Sequence, residues 1–287
     1  MPRIEIRHRT AYRYGAAVTL RTHRMMLRPR ETRDLRLIAF DLDISPAAEV
    51  VWSHDVAGNA VATATFAYPT DTLVIQSRMI VDLTAPTWPV FSIAASATEF
   101  PFRYSSDDLA DLGLLTLPQY ADVAGRLARW ADGFILSRPT DTLSLLKDIA
   151  NGVSSAVYYQ SRETEGTQGP LETLDRGWGS CRDFAVLFTE AVRTLGFGAR
   201  LVSGYLYDPN SSHLGSAGSG STHAWAEVFV PGAGWIPFDP TNRSVGSANL
   251  VPVAVARRIE QAAPVTGSYF GTDGGLHEMD VVVDVSS

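Results

Sequence analysis

The spacing of apolar residues changes once along this chain, and the change constrains its architecture more than any other feature. Up to about residue 105 apolar and polar residues alternate, as in Ile4-Glu5-Ile6-Arg7 and Phe40-Asp41-Leu42-Asp43-Ile44, and again over 61–66 and 73–83. A strand sends alternate side chains to opposite faces, so this period predicts antiparallel sheets packed as a sandwich. Val56-Ala57-Gly58-Asn59 predicts a hairpin turn between two of the runs. Pro86, Pro89, Pro101 and Pro118 then mark a connecting segment over 84–118.

Beyond it the spacing is helical. Tyr120, Val123, Ala124, Leu127, Ala131, Phe134 and Ile135 predict one helix. Leu143, Leu146, Ala150 and Val153, following Pro139-Thr140-Asp141, predict a second. Phe184, Leu187, Phe188, Ala191, Val192 and Leu195 give the strongest pattern, stopped by Gly196 and Gly198. Strand-like runs return at 200–207, 222–230 and 235–239, and 279–285 predicts a last strand. The reading is α+β, with an N-terminal antiparallel β domain at 1–105 and a mixed core at 106–287 that ends in a return strand. No internal repeat is visible.

Hydrophobic residues make up 45% and charged residues 19% of 287, a globular balance. A net charge of −7 argues against a general nucleic-acid binder or a coat for anionic membranes. The start, MPRIEIRHRTAYRY, lacks the apolar core of a secretory signal, and no run of about 18 apolar residues is present. The expectation is a cytoplasmic protein without a membrane span. The polar, glycine-rich stretch 208–220 reads as a surface loop, either a lid or a passive insertion.

Cys181 is the only cysteine, which excludes an internal disulfide and a cysteine-based zinc site. It follows Gly177-Trp178-Gly179-Ser180 and opens the strongest helix. A helix N-terminus favours an anion, so a thiol there ionises more easily. The same N–H groups can hold an oxyanion, and Arg182 adds positive charge nearby. The glycines leave room for a substrate backbone. A thiolate needs a base, and the base needs an orienter. His223 in Thr-His-Ala-Trp-Ala-Glu-Val and Asp239 in Gly-Trp-Ile-Pro-Phe-Asp-Pro-Thr-Asn fall on two strands joined by a short turn at 231–234. His8, His23 and His54 are scattered singly, with structural or surface roles expected.

Taken together, Gly-Ser-Cys181-Arg-Asp-Phe-Ala, Leu-Gly-Phe-Gly-Ala-Arg-Leu-Val-Ser-Gly-Tyr205-Leu, His223-Ala-Trp-Ala-Glu-Val and Gly234-Trp-Ile-Pro-Phe-Asp239-Pro-Thr-Asn resemble the bacterial transglutaminase-like superfamily. The core motifs cover about 140–250. The first hundred residues look like the β domain often fused ahead of that core in bacteria, and the tail looks like the family's C-terminal return. The resemblance implies a papain-like transglutaminase core, a helix bearing the cysteine packed on an antiparallel sheet. It implies Cys181 as nucleophile, His223 as base and Asp239 as orienter. It also implies Tyr159 and Trp178 as candidates for the oxyanion or substrate site. Ser180 departs from the pattern, since many relatives carry an apolar residue there.

Family chemistry is attack of a thiolate on a carboxamide through an acyl-enzyme, with no cofactor. Hydrolysis of a peptide or protein amide is the favoured reading. Protein-glutamine acyl transfer and a non-catalytic binding module on the same fold are the alternatives. A cysteine-bearing zinc cradle, found in some deglycosylating relatives, is excluded by the single cysteine.

Strand register adds a geometric expectation. A regular four-residue loop at 231–234 would pair Val230 with Trp235 and set Asp239 opposite Ala226, facing away from His223. A register shifted by one pairs Phe229 with Trp235 and Trp225 with Asp239. Asp239 then shares the face of His223 as a diagonal neighbour, about 7–8 Å away at Cα. A five-residue loop or a bulge is therefore expected, with Pro231 ending the pairing early.

Overall fold

A computed structural model describes residues 3–162, 166–208, 210, 214, 220–271 and 275–287. Most of the candidate lid at 208–220 lies outside the described residues. The fold is α+β, with a cysteine-bearing helix packed on an antiparallel sheet and antiparallel β layers ahead of it in the chain.

The N-terminal third forms β1 (Arg3–Leu20), β2 (His23–Met25), β3 (Leu35–Ser45), β4 (Glu49–His54), β5 (Ala60–Thr65) and β6 (Thr70–Leu83). Alternation in β1 works as read. Ile4, Ile6, His8 and Thr10 are buried, while Arg3 pairs with Asp82 and Glu5 with Arg78 on the outer face. Through the connecting segment run α1 (Ser106–Leu112) and α2 (Arg126–Asp132). The helix expected from Tyr120 is cut short at its start. Gly125 takes φ +66° as the N-cap, and the Asp122 carboxylate accepts from the N–H groups of Arg126 and Ala128. A carboxylate placed there satisfies first-turn donors and starts the helix late. A minor bridge joins β7 (Glu99–Phe100) to β8 (Thr140–Asp141).

The core carries α3 (Thr142–Ala156), capped by Asp141, whose side chain accepts from Ser144 N at 2.7 Å. Next come β9 (Tyr158–Tyr159), α4 (Pro170–Arg176), β10 (Trp178–Gly179) and α5 (Cys181–Thr194). The core sheet has β11 (Ala199–Tyr207), β12 (Gly220–Val230), β13 (Gly234–Asp239), β14 (Ser244–Val245) and β15 (Leu250–Ala256), in the order β14-β13-β12-β11-β15. Phe184, Leu187, Phe188 and Val192 of α5 pack with Leu146 and Ile149 of α3 and with Val228, Ile236 and Phe238 of the sheet. No helix among the described residues is long and apolar enough to cross a membrane.

The C-terminal segment returns to the first sheet. β16 (Val265–Thr266) pairs with β2, and β17 (Tyr269–Phe270) and β18 (Leu276–Ser286) pair with β1. The β layers expected from 1–105 alone thus take three of their strands from the other end of the chain. Long strands make this possible. One end of the β1–β6 pair packs on the core sheet, Ile4, Ile6, Met79 and Val81 meeting Tyr205, Val251 and Val253. The other end packs Tyr14, Leu73 and Ile75 on Met25, Ala62 and Ala64 of the small sheet β16-β2-β5-β4.

Within the same buried layer His8 holds the hydroxyls of Tyr205 at 2.8 Å and Thr10 at 3.0 Å. Burial pushes its pKa down to about 4. The unfolded chain therefore binds a proton that the folded chain refuses between about pH 6.5 and 4, so stability falls as pH drops through that window. The expected loss is about 3 kcal/mol. Denaturant melts at graded pH should show it as one transition, and His8→Gln should remove most of the slope. His23, also lowered by burial, supplies part of what remains. An unchanged slope in His8→Gln would show that His8 does not carry this linkage.

Candidate active site

Cys181 is the first residue of α5 and is partly exposed. Ser180 is the N-cap, and the buried Asp183 carboxylate returns to it, accepting from Ser180 N at 2.8 Å and Ser180 Oγ at 2.9 Å. The other Asp183 oxygen accepts from Gln168 N at 2.7 Å and Arg162 Nη2 at 2.9 Å. One carboxylate thus closes the turn that presents the thiol and ties Arg162 and Gln168 to it. Ser180, the departure from the family pattern, is part of this lock. The glycines before it serve the turn. Gly177 closes α4 at φ +67°, and a Cβ on Gly179 would come within 2.8 Å of Asp183 Cβ.

The polar residues of α5 are not a solvated face. Glu190 and Arg193 are buried and paired at 2.7 Å. The second Glu190 oxygen accepts from Gln119 N and Tyr120 N, while Arg193 donates to the carbonyls of Leu115 and Ala199. A buried ion pair is tolerable when its remaining donors and acceptors are satisfied, as here. The periodicity gave no sign of this, because these residues occupy the side that an amphipathic helix would expose. The pair anchors the connecting segment and brings Tyr120 against the apolar cluster that also receives Cys181.

β12 and β13 pair Phe229 with Trp235 and Ala226 with Phe238. This is the register that the site requires, reached by a different turn. Val230 also pairs, with Gly234 at φ +74°, so the loop is 231–233 and Pro231 does not end the ladder early. His223 and Asp239 are both buried, and His223 Nε2 lies 2.8 Å from Asp239 Oδ2. Asp239 also accepts from Thr241 N, Asn242 N and Asn242 Nδ2. Trp225 stacks near the imidazole, with ring centroids 6.2 Å apart. Among the described residues His223 Nδ1 has no hydrogen bond to a nitrogen or oxygen, and Cys181 is coupled to the ring besides Asp239.

Electrostatics make this a coupled set. Burial opposes charge on His223, but the Asp239 carboxylate and the Cys181 sulfur outweigh it and raise the imidazole pKa. Burial likewise opposes the Cys181 thiolate, yet His223, the Ala224 N–H and Arg182 bring its pKa below the ordinary value. Asp239 is lowered despite its burial, chiefly by His223. The arrangement therefore favours thiolate beside imidazolium.

The two further candidates separate. Tyr159 is half-buried beside the site, and its phenol is raised by burial and by the Cys181 charge. Trp178 pairs with Tyr158 in the β9–β10 bridge, and its ring carries the Arg176 guanidinium at 5.4 Å.

Comparison with known proteins agrees with this architecture. Residues 128–240 match the family model of the transglutaminase-like superfamily, and residues 4–82 match that of the bacterial transglutaminase-like N-terminal region. An uncharacterized protein of Mycobacterium tuberculosis is 31% identical over 99% of this chain and 92% of its own length. One from Mycobacterium leprae is 27% identical over 100% of this chain and 99% of its own. The solved structure of a candidate cysteine protease from Cytophaga hutchinsonii shares the fold, with a TM-score of 0.74 at 20% identity, over 100% of this chain and 92% of that one.

The geometry predicts the pH at which the thiol reacts. Alkylation by iodoacetamide should reach half its maximal rate below about pH 8.5, the value of a free thiol. In His223→Ala or Asp239→Ala the midpoint should rise to about 8.5 or higher, since burial then acts on the thiol with its main counter-charge lost or weakened. Stopped-time alkylation read by mass spectrometry measures both. Identical midpoints in all three proteins would show that neither residue acts on the sulfur.

Proposed function

Because the chain belongs to the transglutaminase-like superfamily, we propose that it hydrolyses an amide bond in a peptide or protein through an acyl-enzyme on Cys181. The observation that carries this reading is the thiol at a helix N-terminus, electrostatically coupled to a buried imidazole that is itself fixed by a carboxylate. The Cys181 thiolate attacks the carbonyl carbon. The oxyanion that forms meets the N-terminal N–H groups of α5, with the Tyr159 hydroxyl as a further donor. His223 gives its proton to the departing nitrogen, the C–N bond breaks, and a thioester remains. Neutral His223 then takes a proton from water, the new C–O bond forms, and the C–S bond breaks. Thiolate and imidazolium are restored, and amide plus water has become acid plus amine. Asp239 holds the ring in one orientation throughout.

Turnover should follow a bell in pH. The acid limb lies below the ordinary thiol value, because the thiol is lowered, and the alkaline limb lies above the ordinary imidazole value, because the imidazole is raised. Cys181→Ala should cut kcat/KM by about 10³-fold or more while leaving the melting temperature nearly unchanged. The deciding experiment screens an amide and peptide library in the presence of a fluorescent primary amine, with products read by mass. Free acid is the expected product. A product carrying the amine would instead assign acyl transfer. Absence of turnover together with no labelling of Cys181 by a vinyl sulfone would leave a binding module.

A further inference from the structure

A second concave site lies apart from Cys181. A cavity of about 440 Å³ opens between the connecting segment at Trp88–Phe91, the outer face of α3 and the turn from Arg243 to Leu250. That volume is in the range of small-molecule sites, roughly 300–1,000 Å³. Its walls are apolar, with Trp88, Phe91, Val245 and Leu250 among them. Trp88 is 89% exposed, a large aromatic surface left open at the rim.

The charged lining is one-sided. Lys147 and Arg243 line the cavity, and no Asp or Glu among the described residues does, in a chain whose net charge is −7. Lys147 is also the only lysine; the other 23 of the 24 basic residues are arginine. It makes no ion pair among the described residues, whereas many of the arginines do. Arg243 comes from the opposite wall. Its Nε donates to Ser154 Oγ at 2.8 Å and its Nη2 to Ser154 O at 3.1 Å, two turns along α3 from Lys147. Arg243 holds φ +54°, and it is the one non-glycine residue with positive φ among those described. Such a conformation is strained for a residue with a side chain and persists where its surroundings fix it.

We propose that this cavity binds an organic anion, a carboxylate carried on an aromatic or aliphatic body. Lys147 and Arg243 meet the charge, the first as a compact ammonium and the second as a planar fork. The apolar wall under Trp88 takes the body. The site does not depend on turnover at Cys181.

The single lysine makes the test direct. Acetic anhydride can acetylate only Lys147 and the α-amino group as amines, so protection of Lys147 is read in one peptide with an internal control. With the full chain, saturating 3-phenylpropionate should slow acetylation of Lys147 at least about fivefold and leave the α-amino group unchanged. The neutral 3-phenylpropanamide should not protect, and acetate should protect about tenfold less well, because it lacks the body. Arg243→Gln should raise the Kd of 3-phenylpropionate at least about tenfold. Because that turn also holds Asp239, Trp88→Ala serves as the independent variant, at an exposed position, and should weaken the carboxylate severalfold without changing the melting temperature. Equal protection by acid and amide, equal protection by acetate, or no protection at all would each overturn the proposal. So would a Kd unchanged in both variants.

Discussion

The site depends on one buried hydrogen bond, between His223 Nε2 and Asp239 Oδ2, and that bond depends on strand register. A shift of one residue between β12 and β13 would send the two side chains to opposite faces. The three-residue turn at 231–233, permitted by Gly234 in the left-handed region, sets the register that puts them on one face. A carboxylate this deeply buried is costly unless its lone pairs are filled. Asp239 fills them with His223 and three donors from the turn that follows it. The turn thus serves two ends, holding Asp239 charged and aiming it at the ring.

A second carboxylate does for the thiol what Asp239 does for the imidazole. Asp183 gathers donors from Ser180, Gln168 and Arg162, so the start of α5 is closed on itself and braced by the segment before α4. Sulfur and imidazole belong to different elements, a helix and a strand, and each is fixed independently before they meet. In the proposed hydrolysis, binding energy need not be spent on ordering either group. The Glu190–Arg193 pair extends the same logic along α5, fastening the connecting segment that carries Tyr120 to the edge of the site.

Much of this was legible in the sequence because the signals were local. Periodicity located α3 and α5, the longer strands of the N-terminal layers, β11, β12 and β13 of the core sheet, and the change between them, but not the edge strand β15. The position of Cys181 at the start of the strongest helix, with His223 and Asp239 on a predicted hairpin, put the three side chains of the candidate site in view before any coordinates. Register arithmetic even required the Phe229–Trp235 pairing, although the turn that delivers it is shorter than the one expected. What the sequence hid was long-range. Nothing near Asp183, Glu190 or Arg193 says that these charges are buried, since, apart from the Ser180 hydroxyl and the Glu190–Arg193 pair itself, their partners are 15 to 78 positions away or lie on the backbone. The helix expected from Tyr120 starts only at Arg126 for a related reason, because capping by Asp122 and anchoring by Glu190 outweighed an apolar period. Trp178 shows that a residue adjacent in sequence to the site can have its described contacts elsewhere.

The pairing of β18 with β1 has a consequence for how the molecule comes into being. Glu5 lies opposite Ser286 and Tyr14 opposite Leu276, so β1 leaves the ribosome long before the strand that pairs with it. Until then β1 has one unfilled edge, and Ile4 and Ile6 await strands that the core supplies. Contacts of such separation are slow to form, because a loop of nearly the whole chain must close first. The β layers can therefore be completed only after β18 has been made, and that strand acts as a clasp across the two ends of the fold.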